Sequence, residues 1–173
     1  MDRHQQAEAY LAMLAPAQLA QAESLAFRSQ LQRIPFDYSL ASLGRIDDVL
    51  RALRATMKLP YGAFLEKQAA VNFLVALNFY LGTTIARTGQ FALKWVDHAE
   101  AAQAIPDLPR RLETDVGCVI GNLVVFPAGV VAEMLFDPQP QRTCLAFAQH
   151  TISRLTERGQ RLPEPLSRPV GEP

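Results

Sequence analysis

Three side chains that could take part in acid–base catalysis or metal binding lie just after Trp95, the single tryptophan of the sequence. Asp97, His98 and Glu100 follow Trp95 closely. A carboxylate beside an imidazole can tune a general base or supply two metal ligands. Asp97 and His98 are neighbours at the end of a predicted strand, however, and neighbouring strand residues point to opposite faces. We therefore predict a solvated strand terminus with no catalytic, cofactor-binding or metal-binding residue, and keep a pocket near Trp95 and His98 as the alternative.

The common catalytic motifs are absent from the sequence. It contains no GxGxxG after a predicted strand, no GxxxxGK[ST], no GxSxG and no HExxH. Asp47 and Asp48 would diverge by about 100° on a helix, so we expect them to form surface ion pairs with nearby arginines. Cys118 and Cys144 lie in or beside apolar stretches, where a thiol behaves as a small hydrophobic group. The common enzyme superfamilies are therefore unsupported.

The length, composition and charge of the sequence limit the class of protein that it can encode. The chain has 173 residues, 49% of them hydrophobic and 20% charged, which is the composition of one ordinary globular domain. Its 17 basic residues balance 17 acidic ones, so no overall field attracts nucleic acid or an anionic membrane. The N-terminal segment lacks the pattern of a signal peptide. We therefore predict a cytoplasmic protein that binds neither nucleic acid nor membranes.

One segment comes close to the length of a membrane span. Residues 68–86 carry no formal charge, and about 20 predominantly apolar residues cross a bilayer core. Asn72 and Asn78 argue against this reading, because an unpaired amide in hydrocarbon is costly. We predict instead the central helix of a globular core, with Tyr80 and the other aromatic residues buried. The two asparagines either bond to neighbouring backbone, for instance at a sheet edge, or line a cavity or partner groove.

Periodicity and turn residues place these groups on an α+β fold. Apolar residues at helical spacing predict helices over residues 5–15, 17–32, 40–57, 64–88, 127–136 and 142–158. Period-2 alternation and the dipeptide Gly121-Asn122 predict three antiparallel strands over residues 91–96, 116–120 and 123–126. Residues 98–115 are expected to form a partly helical excursion, and Gly89 is expected just past the end of the long helix.

The predicted architecture is a single α+β domain over residues 1–159. Its N-terminal helices and one long central helix pack on a small sheet of about three antiparallel strands, and two helices follow at the C-terminal end. Residues 160–173 contain four prolines. We expect this segment to be an extended, proline-rich tail, because it cannot bury a core of its own.

Two phrases of the sequence resemble an uncharacterised group of small bacterial cytosolic proteins. One is Asp37-Tyr38-Ser39-Leu40-Ala41-Ser42-Leu43, followed by Asp47 and Leu50, and the other is Phe79-Tyr80-Leu81-Gly82, followed by Lys94-Trp95. In that group a YSL.SL...D..L helix precedes a YLG helix and a KW strand, and a later helix starts at a proline, as at Pro127 here. An acid often follows the YLG glycine, where this chain has Thr83. The resemblance implies a shared α+β fold and no known reaction.

We expect a non-enzymatic bacterial protein-interaction domain, of an accessory or immunity type, because catalytic motifs are missing and the charges are balanced. Its partner would be another protein, and a homodimer through a sheet edge or the long helix is an open alternative. The second hypothesis is a small-molecule-binding protein or enzyme with a pocket near Trp95 and His98. The residues predicted at a pocket or partner surface are Asn72, Asn78, Tyr80, Thr83, Arg87, Trp95, Asp97 and His98.

Overall fold

The computed structural model describes residues 2–159, and the predicted extended tail over residues 160–173 lies outside the described residues. The described part contains ten helices and three strands, which confirms the predicted α+β fold. The helices α1 to α10 are Arg3–Met13, Pro16–Leu19, Arg28–Leu31, Leu40–Thr56, Tyr61–Leu65, Gln68–Gly89, His98–Ala104, Leu112–Asp115, Pro127–Phe136 and Cys144–Glu157. The strands β1 to β3 are Leu93–Asp97, Val116–Ile120 and Leu123–Val125.

Helix α6 is the centre of the core, as predicted. It contacts α1, α4, α5, α9 and α10 as well as the strands β1 and β2. Phe73, Phe79 and Tyr80 on this helix are each 0% exposed. Within residues 2–159 it is the one helix long and apolar enough to cross a membrane, and 78% of its apolar window is buried inside the protein. Core helices of globular proteins have this same length and hydropathy.

The three strands form one antiparallel sheet in the order β1-β2-β3. Trp95 in β1 lies opposite Cys118 in β2, and Cys118 lies opposite Val125 in β3. Gly121 has a φ of 58°, which is the left-handed conformation that the first central residue of a primed hairpin turn adopts. The predicted hairpin over β2 and β3 is therefore confirmed.

The prediction of one helix over residues 17–32 is wrong. Only α2 and the four-residue α3 are helical in this region, and turns connect them. Phe27 has a φ of 56°, a left-handed conformation that an α-helix of L-residues excludes. The backbone N–H of Ala26 donates to the carbonyl oxygen of Ala69 in α6, at 2.9 Å. Contacts with α6 thus override the local helical pattern.

The long predicted helix over residues 64–88 is divided into α5 and α6. Lys67 separates the two helices with an extended backbone, at φ −98° and ψ 111°. Phe64 belongs to α5, where its ring packs on Phe136 of α9 with the centroids 5.1 Å apart. The chain therefore bends at Lys67, and the Phe64 ring packs against α9.

Helix α6 ends one residue later than the sequence predicts. Gln90, at φ 56°, is the left-handed residue that follows the helix, and Gly89 still belongs to α6. The N–H of Gln90 donates to Arg87 O and the N–H of Phe91 donates to Ala86 O, which is the Schellman pattern. Gly89 is required for space instead, because a Cβ there would lie 2.0 Å from Phe91 Cε2.

Candidate functional site

Asp97 and Glu100 are both used at the N-terminus of α7. Asp97 Oδ1 accepts from the N–H of Glu100 at 2.9 Å, and Glu100 Oε2 accepts from the N–H of Asp97 at 3.2 Å, which is a capping box. Lys94 Nζ lies 2.9 Å from Glu100 Oε1, and its hydrogen bond lowers the pKa of Glu100 below the ordinary value. The two carboxylates therefore stabilise a helix end and are not arranged as an acid–base pair.

Asp97 and His98 line an open cleft of about 440 Å³, which we call the polar cleft. Helices α1 and α6 and the segment from β1 to β2 surround it. Charged side chains of both signs contribute to its lining: Arg3, Asp97, Arg110 and Asp115. The rest of the lining consists of His98 and neutral residues: Gln6, Tyr10, Gln68, Val71, Val75, Ala99, Leu112 and Val116. The polar cleft thus combines both charges with a patch of apolar surface.

The polar groups of the cleft are largely bound to one another. Arg3 donates to Gln6 Oε1 at 2.7 Å and to Asp115 O at 3.3 Å. Arg110 Nε lies 3.8 Å from Asp115 Oδ1. His98 Nε2 lies 3.1 Å from Leu108 O, and since a carbonyl can only accept, Nε2 carries the proton. The Nδ1 atom of a neutral His98 ring is then an acceptor.

Trp95 lies in the core and does not line the polar cleft. Its side chain is 6% exposed, and its ring meets that of Phe79 edge-on with the centroids 4.7 Å apart. Gly82 lets α6 approach β1 closely, because a Cβ at this position would lie 2.6 Å from Trp95 Cη2 and 3.2 Å from Cys118 Sγ. Two residues that carry the family resemblance, Gly82 and Trp95, therefore hold the central helix against the sheet.

Tyr80 joins α6 to the start of α4. Its hydroxyl oxygen accepts from the backbone N–H of Tyr38 at 2.8 Å and lies 2.7 Å from Ser42 Oγ. Burial raises the pKa of Tyr80 above its ordinary value. Tyr38, at φ 59°, stacks on the Tyr80 ring at 5.0 Å between centroids, and the exposed Arg87 guanidinium lies 3.9 Å from the Tyr38 ring centroid. Arg87 therefore covers this contact from outside and is not beside His98.

Asn78 and Asn72 are both hydrogen-bonded within the protein. Asn78 is 1% exposed; its Nδ2 donates to Val116 O at 3.3 Å and its Oδ1 accepts from the N–H of Ala128 at 2.9 Å. It thus joins the start of β2 to the first turn of α9. Asn72 Oδ1 accepts from the hydroxyl of Tyr10 at 2.8 Å, and its Nδ2 donates to the backbone. Of the other predicted residues on α6, Thr83 has a buried hydroxyl without a hydrogen-bond partner in the described part of the chain.

Asp47 is a structural residue that the sequence reading assigned to the surface. It is 2% exposed, and its two carboxylate oxygens accept from the N–H groups of Cys144 at 2.7 Å and Leu145 at 3.2 Å. It therefore caps α10 from the side of α4, because the first N–H groups of a helix lack partners within it. Asp48 does form the predicted ion pair, with Arg51 at 2.6 Å. We call Ser42, Asp47, Asn78 and Tyr80 together the buried polar joint.

The metal-ligating and nucleophilic side chains of the described residues are the groups that could take part in a reaction. Over residues 2–159 no group of three His, Cys, Asp or Glu side chains is placed to hold a metal ion. Cys118 and Cys144 are free thiols, and burial raises the pKa of both above the ordinary value. A thiol that stays protonated is a poor nucleophile. The polar side chains of the buried polar joint are hydrogen-bonded to other parts of the same domain.

A second surface feature, which the sequence analysis missed, is a groove beside the connection from α4 to α5. It consists of two depressions of about 330 and 450 Å³ that share Met57 and Leu59. The first is otherwise lined by Ala26, Phe27, Phe64, Lys67, Ala69 and Ala70. The second is otherwise lined by Arg54, Lys58, Pro60, Tyr61, Leu135, Phe136 and Pro138. We call this surface the apolar groove.

Four large apolar side chains of the groove are only partly covered by the fold. Phe27, Met57, Leu59 and Phe136 are half-buried and pack on the core from outside. The signal in the sequence is short: Met57 and Leu59 are apolar residues within a break between helices, where turn residues are usually polar. Phe27 and Phe136 reach the groove only through the tertiary fold, so no sequence pattern could have joined them to it.

Comparison with models of protein families, with curated proteins and with solved structures gives no match to this chain.

Proposed function

We propose that this protein is a non-enzymatic interaction domain and that it binds a partner protein through the apolar groove. The observation that carries the proposal is the row of half-buried apolar side chains, Phe27, Met57, Leu59 and Phe136, around two connected depressions. A concave surface lined by apolar side chains is where proteins commonly bind a ligand or a partner. An apolar centre with a polar rim is also the usual anatomy of a protein–protein interface.

The polar side chains of the fold support binding over catalysis. A catalytic group needs a free position at its reacting atom. In the buried polar joint, by contrast, Asp47 and Asn78 accept from backbone N–H groups, and Tyr80 accepts from Tyr38. Asp97 is likewise used in a capping box.

Site-specific photo-crosslinking in the cells that make the protein tests the proposal. Benzoylphenylalanine replaces Leu59 in the groove, and in a control chain it replaces Arg33, an exposed residue that lines a separate depression. We expect one discrete adduct from position 59 and none of that mass from position 33. The cross-linked partner, once purified, should bind the wild-type protein and lose affinity at least about tenfold for Met57→Glu and Leu59→Glu. Equal adducts from both positions, or a purified partner indifferent to both variants, would contradict the proposal.

A second candidate function is the binding of a small zwitterion in the polar cleft. The observation in its favour is the convergence of Arg3, Arg110, Asp97 and Asp115 beside an apolar patch in about 440 Å³. An amino acid with an apolar side chain offers groups complementary to each of these. Titration of the protein with free leucine, followed by the NMR signals of the His98 ring, tests this function. We expect saturable shifts that disappear in Arg3→Ala; an unmoved His98 signal would remove the candidate.

A further inference from the structure

We infer that the segment which enters the apolar groove is an acidic peptide with large apolar side chains. This inference rests on the proposed function and adds the chemistry of the partner. Three side chains of the groove are charged, and all three are cationic: Arg54, Lys58 and Lys67. No carboxylate lines either depression.

The three cations are not neutralised by the fold. Over residues 2–159 none of them forms an ion pair; Arg54 donates only to a backbone carbonyl oxygen, that of Asp137, at 3.2 Å. Glu113 accepts from the Tyr61 hydroxyl through Oε1 and is not among the residues that line either depression. A chain with equal numbers of acidic and basic residues thus carries a local positive rim around apolar surface. Complementary charge on a partner speeds association and rejects wrong partners.

The shape of the groove fits a peptide better than a membrane surface. Its apolar groups lie inside two depressions, and a peptide can insert one apolar side chain into each. A lipid surface instead requires apolar groups that project outward into the headgroup region. An amphipathic segment with apolar anchors in a groove is a recurring mode of recognition.

A second copy of the chain is a poor occupant on grounds of charge. In a twofold symmetric dimer the same patch meets itself, so the rim cations of one copy would face those of the other. Arg54, Lys58 and Lys67 would then repel, and like charges brought together cost affinity. The positive rim therefore favours a different, acidic chain.

Selection from a random 16-residue peptide library displayed on phage tests the inference with the full-length protein as bait. Parallel selections use the wild type and Leu59→Glu, and the enriched peptides are then synthesised. Their affinities are measured by fluorescence anisotropy at low and high salt. Lys58→Glu with Lys67→Glu reverses the rim charge, and Arg33→Glu with Arg45→Glu makes the same change of charge at a separate depression. Thermal unfolding verifies that each variant is folded.

We expect the enriched peptides to contain an excess of Asp and Glu over Lys and Arg, together with large apolar residues. Their affinity should fall roughly tenfold on reversal of the groove charges, fall with added salt, and change less than about twofold in the control. Groove-dependent peptides without an acidic excess would overturn the inference and leave the interaction function standing. Failure to enrich any peptide that distinguishes wild type from Leu59→Glu, together with no discrete adduct from position 59, would count against both. Concentration-dependent dimers lost in Leu59→Glu, or binding to phosphatidylglycerol vesicles alone, would also overturn it.

Discussion

Tyr80 in the buried polar joint and Leu59 in the apolar groove depart from the usual distribution of side chains in opposite directions. Tyr80 is a polar residue with 0% exposure, yet its hydroxyl is fully used by Tyr38 and Ser42. Leu59 is an apolar residue that packs on the core from outside and is left half-buried beside the groove. Hydrogen bonds within the fold compensate for the burial of the Tyr80 hydroxyl, whereas part of the apolar Leu59 side chain stays exposed to solvent. The apolar groove is therefore the surface at which we propose that a partner binds.

The largest effect on stability is expected from Asn78→Ala in the buried polar joint. The change leaves Val116 O and the N–H of Ala128 without their partner in a buried position. Each such group costs about 1–3 kcal/mol, so we expect a loss of roughly 3 kcal/mol in the free energy of unfolding. Urea denaturation measures it. Asn72→Ala on the same helix is the matched control and should lose only about 1 kcal/mol, since water can replace the partners of a half-buried group. Equal losses would show that the hydrogen bonds of Asn78 contribute no more to stability than those of the half-buried Asn72.

Gly82→Ala should destabilise the contact between α6 and the sheet by about 2 kcal/mol. The added Cβ would lie 2.6 Å from Cη2 at the distal edge of the buried Trp95 ring and 3.2 Å from the Sγ of buried Cys118. Gly129→Ala is the control, because that helical glycine has nothing within 4 Å of a built Cβ. The control should gain about 0.5–1 kcal/mol from helix propensity alone. Thermal unfolding of both variants separates close packing from propensity, and a stabilised Gly82→Ala would refute the packing argument.

Elements defined by local signals could be predicted, and elements defined by distant contacts could not. Ser39 accepts from the N–H of Ser42 at the start of α4, Pro127 opens α9, and Gly121 turns the hairpin, so each boundary is visible in a few consecutive residues. The region from α2 to α3 was mispredicted because its bond to Ala69 is invisible in the local pattern. Asp47 was misjudged for the same reason, since the N–H it caps lies 97 positions away.

The candidate surfaces were harder to predict than the fold. Asp97 and His98 were recognised by type, and they do line the polar cleft, but Arg3 and Arg110 join them only in three dimensions. Trp95 was grouped with them by sequence distance, whereas the strand turns its ring into the core. The apolar groove contains no residue type that indicates chemistry, so reading for reactive groups could not reveal it.

Removing the hydroxyl of a buried tyrosine and that of a half-buried one tests how much the buried polar joint contributes to stability. Tyr80→Phe deprives the part-buried N–H of Tyr38 of its acceptor and removes the contact with the buried Ser42 hydroxyl, and we expect a loss of about 1.5 kcal/mol in the free energy of unfolding. Tyr10→Phe makes the same change where the hydroxyl donates to the half-buried Asn72, and should lose about 0.5 kcal/mol. Chemical denaturation at neutral pH measures both. A Tyr80→Phe variant as stable as wild type would remove Tyr80 from the joint.

Alkaline pH should weaken the joint in a way that depends on Tyr80. Burial raises the pKa of Tyr80, so the folded protein keeps the phenol proton after the unfolded chain has begun to lose it near pH 10. Its contribution is therefore fully present below pH 10 and is lost as the pH rises toward the folded pKa. Above pH 10 this one group should therefore lower the free energy of unfolding, and the loss should grow until the folded protein also ionises. Tyr10 and Tyr61 shift in the same direction, so the measurement is the difference in pH dependence between wild type and Tyr80→Phe. Parallel curves would contradict the assignment.

The smallest effect on stability is expected from a substitution in the apolar groove. A small effect there would separate the groove clearly from the buried polar joint. Leu59→Gln replaces an apolar side chain that the fold only partly covers, so the free energy of unfolding should change by no more than about 0.5 kcal/mol. The same variant should bind less of the fluorescent dye bis-ANS, because the dye requires the exposed apolar surface that Leu59 provides. Leu11→Gln alters another half-buried leucine, on α1, and should leave dye binding unchanged. A large loss of stability in Leu59→Gln would instead make Leu59 part of the core, and the contrast between a balanced joint and an uncovered groove would fail.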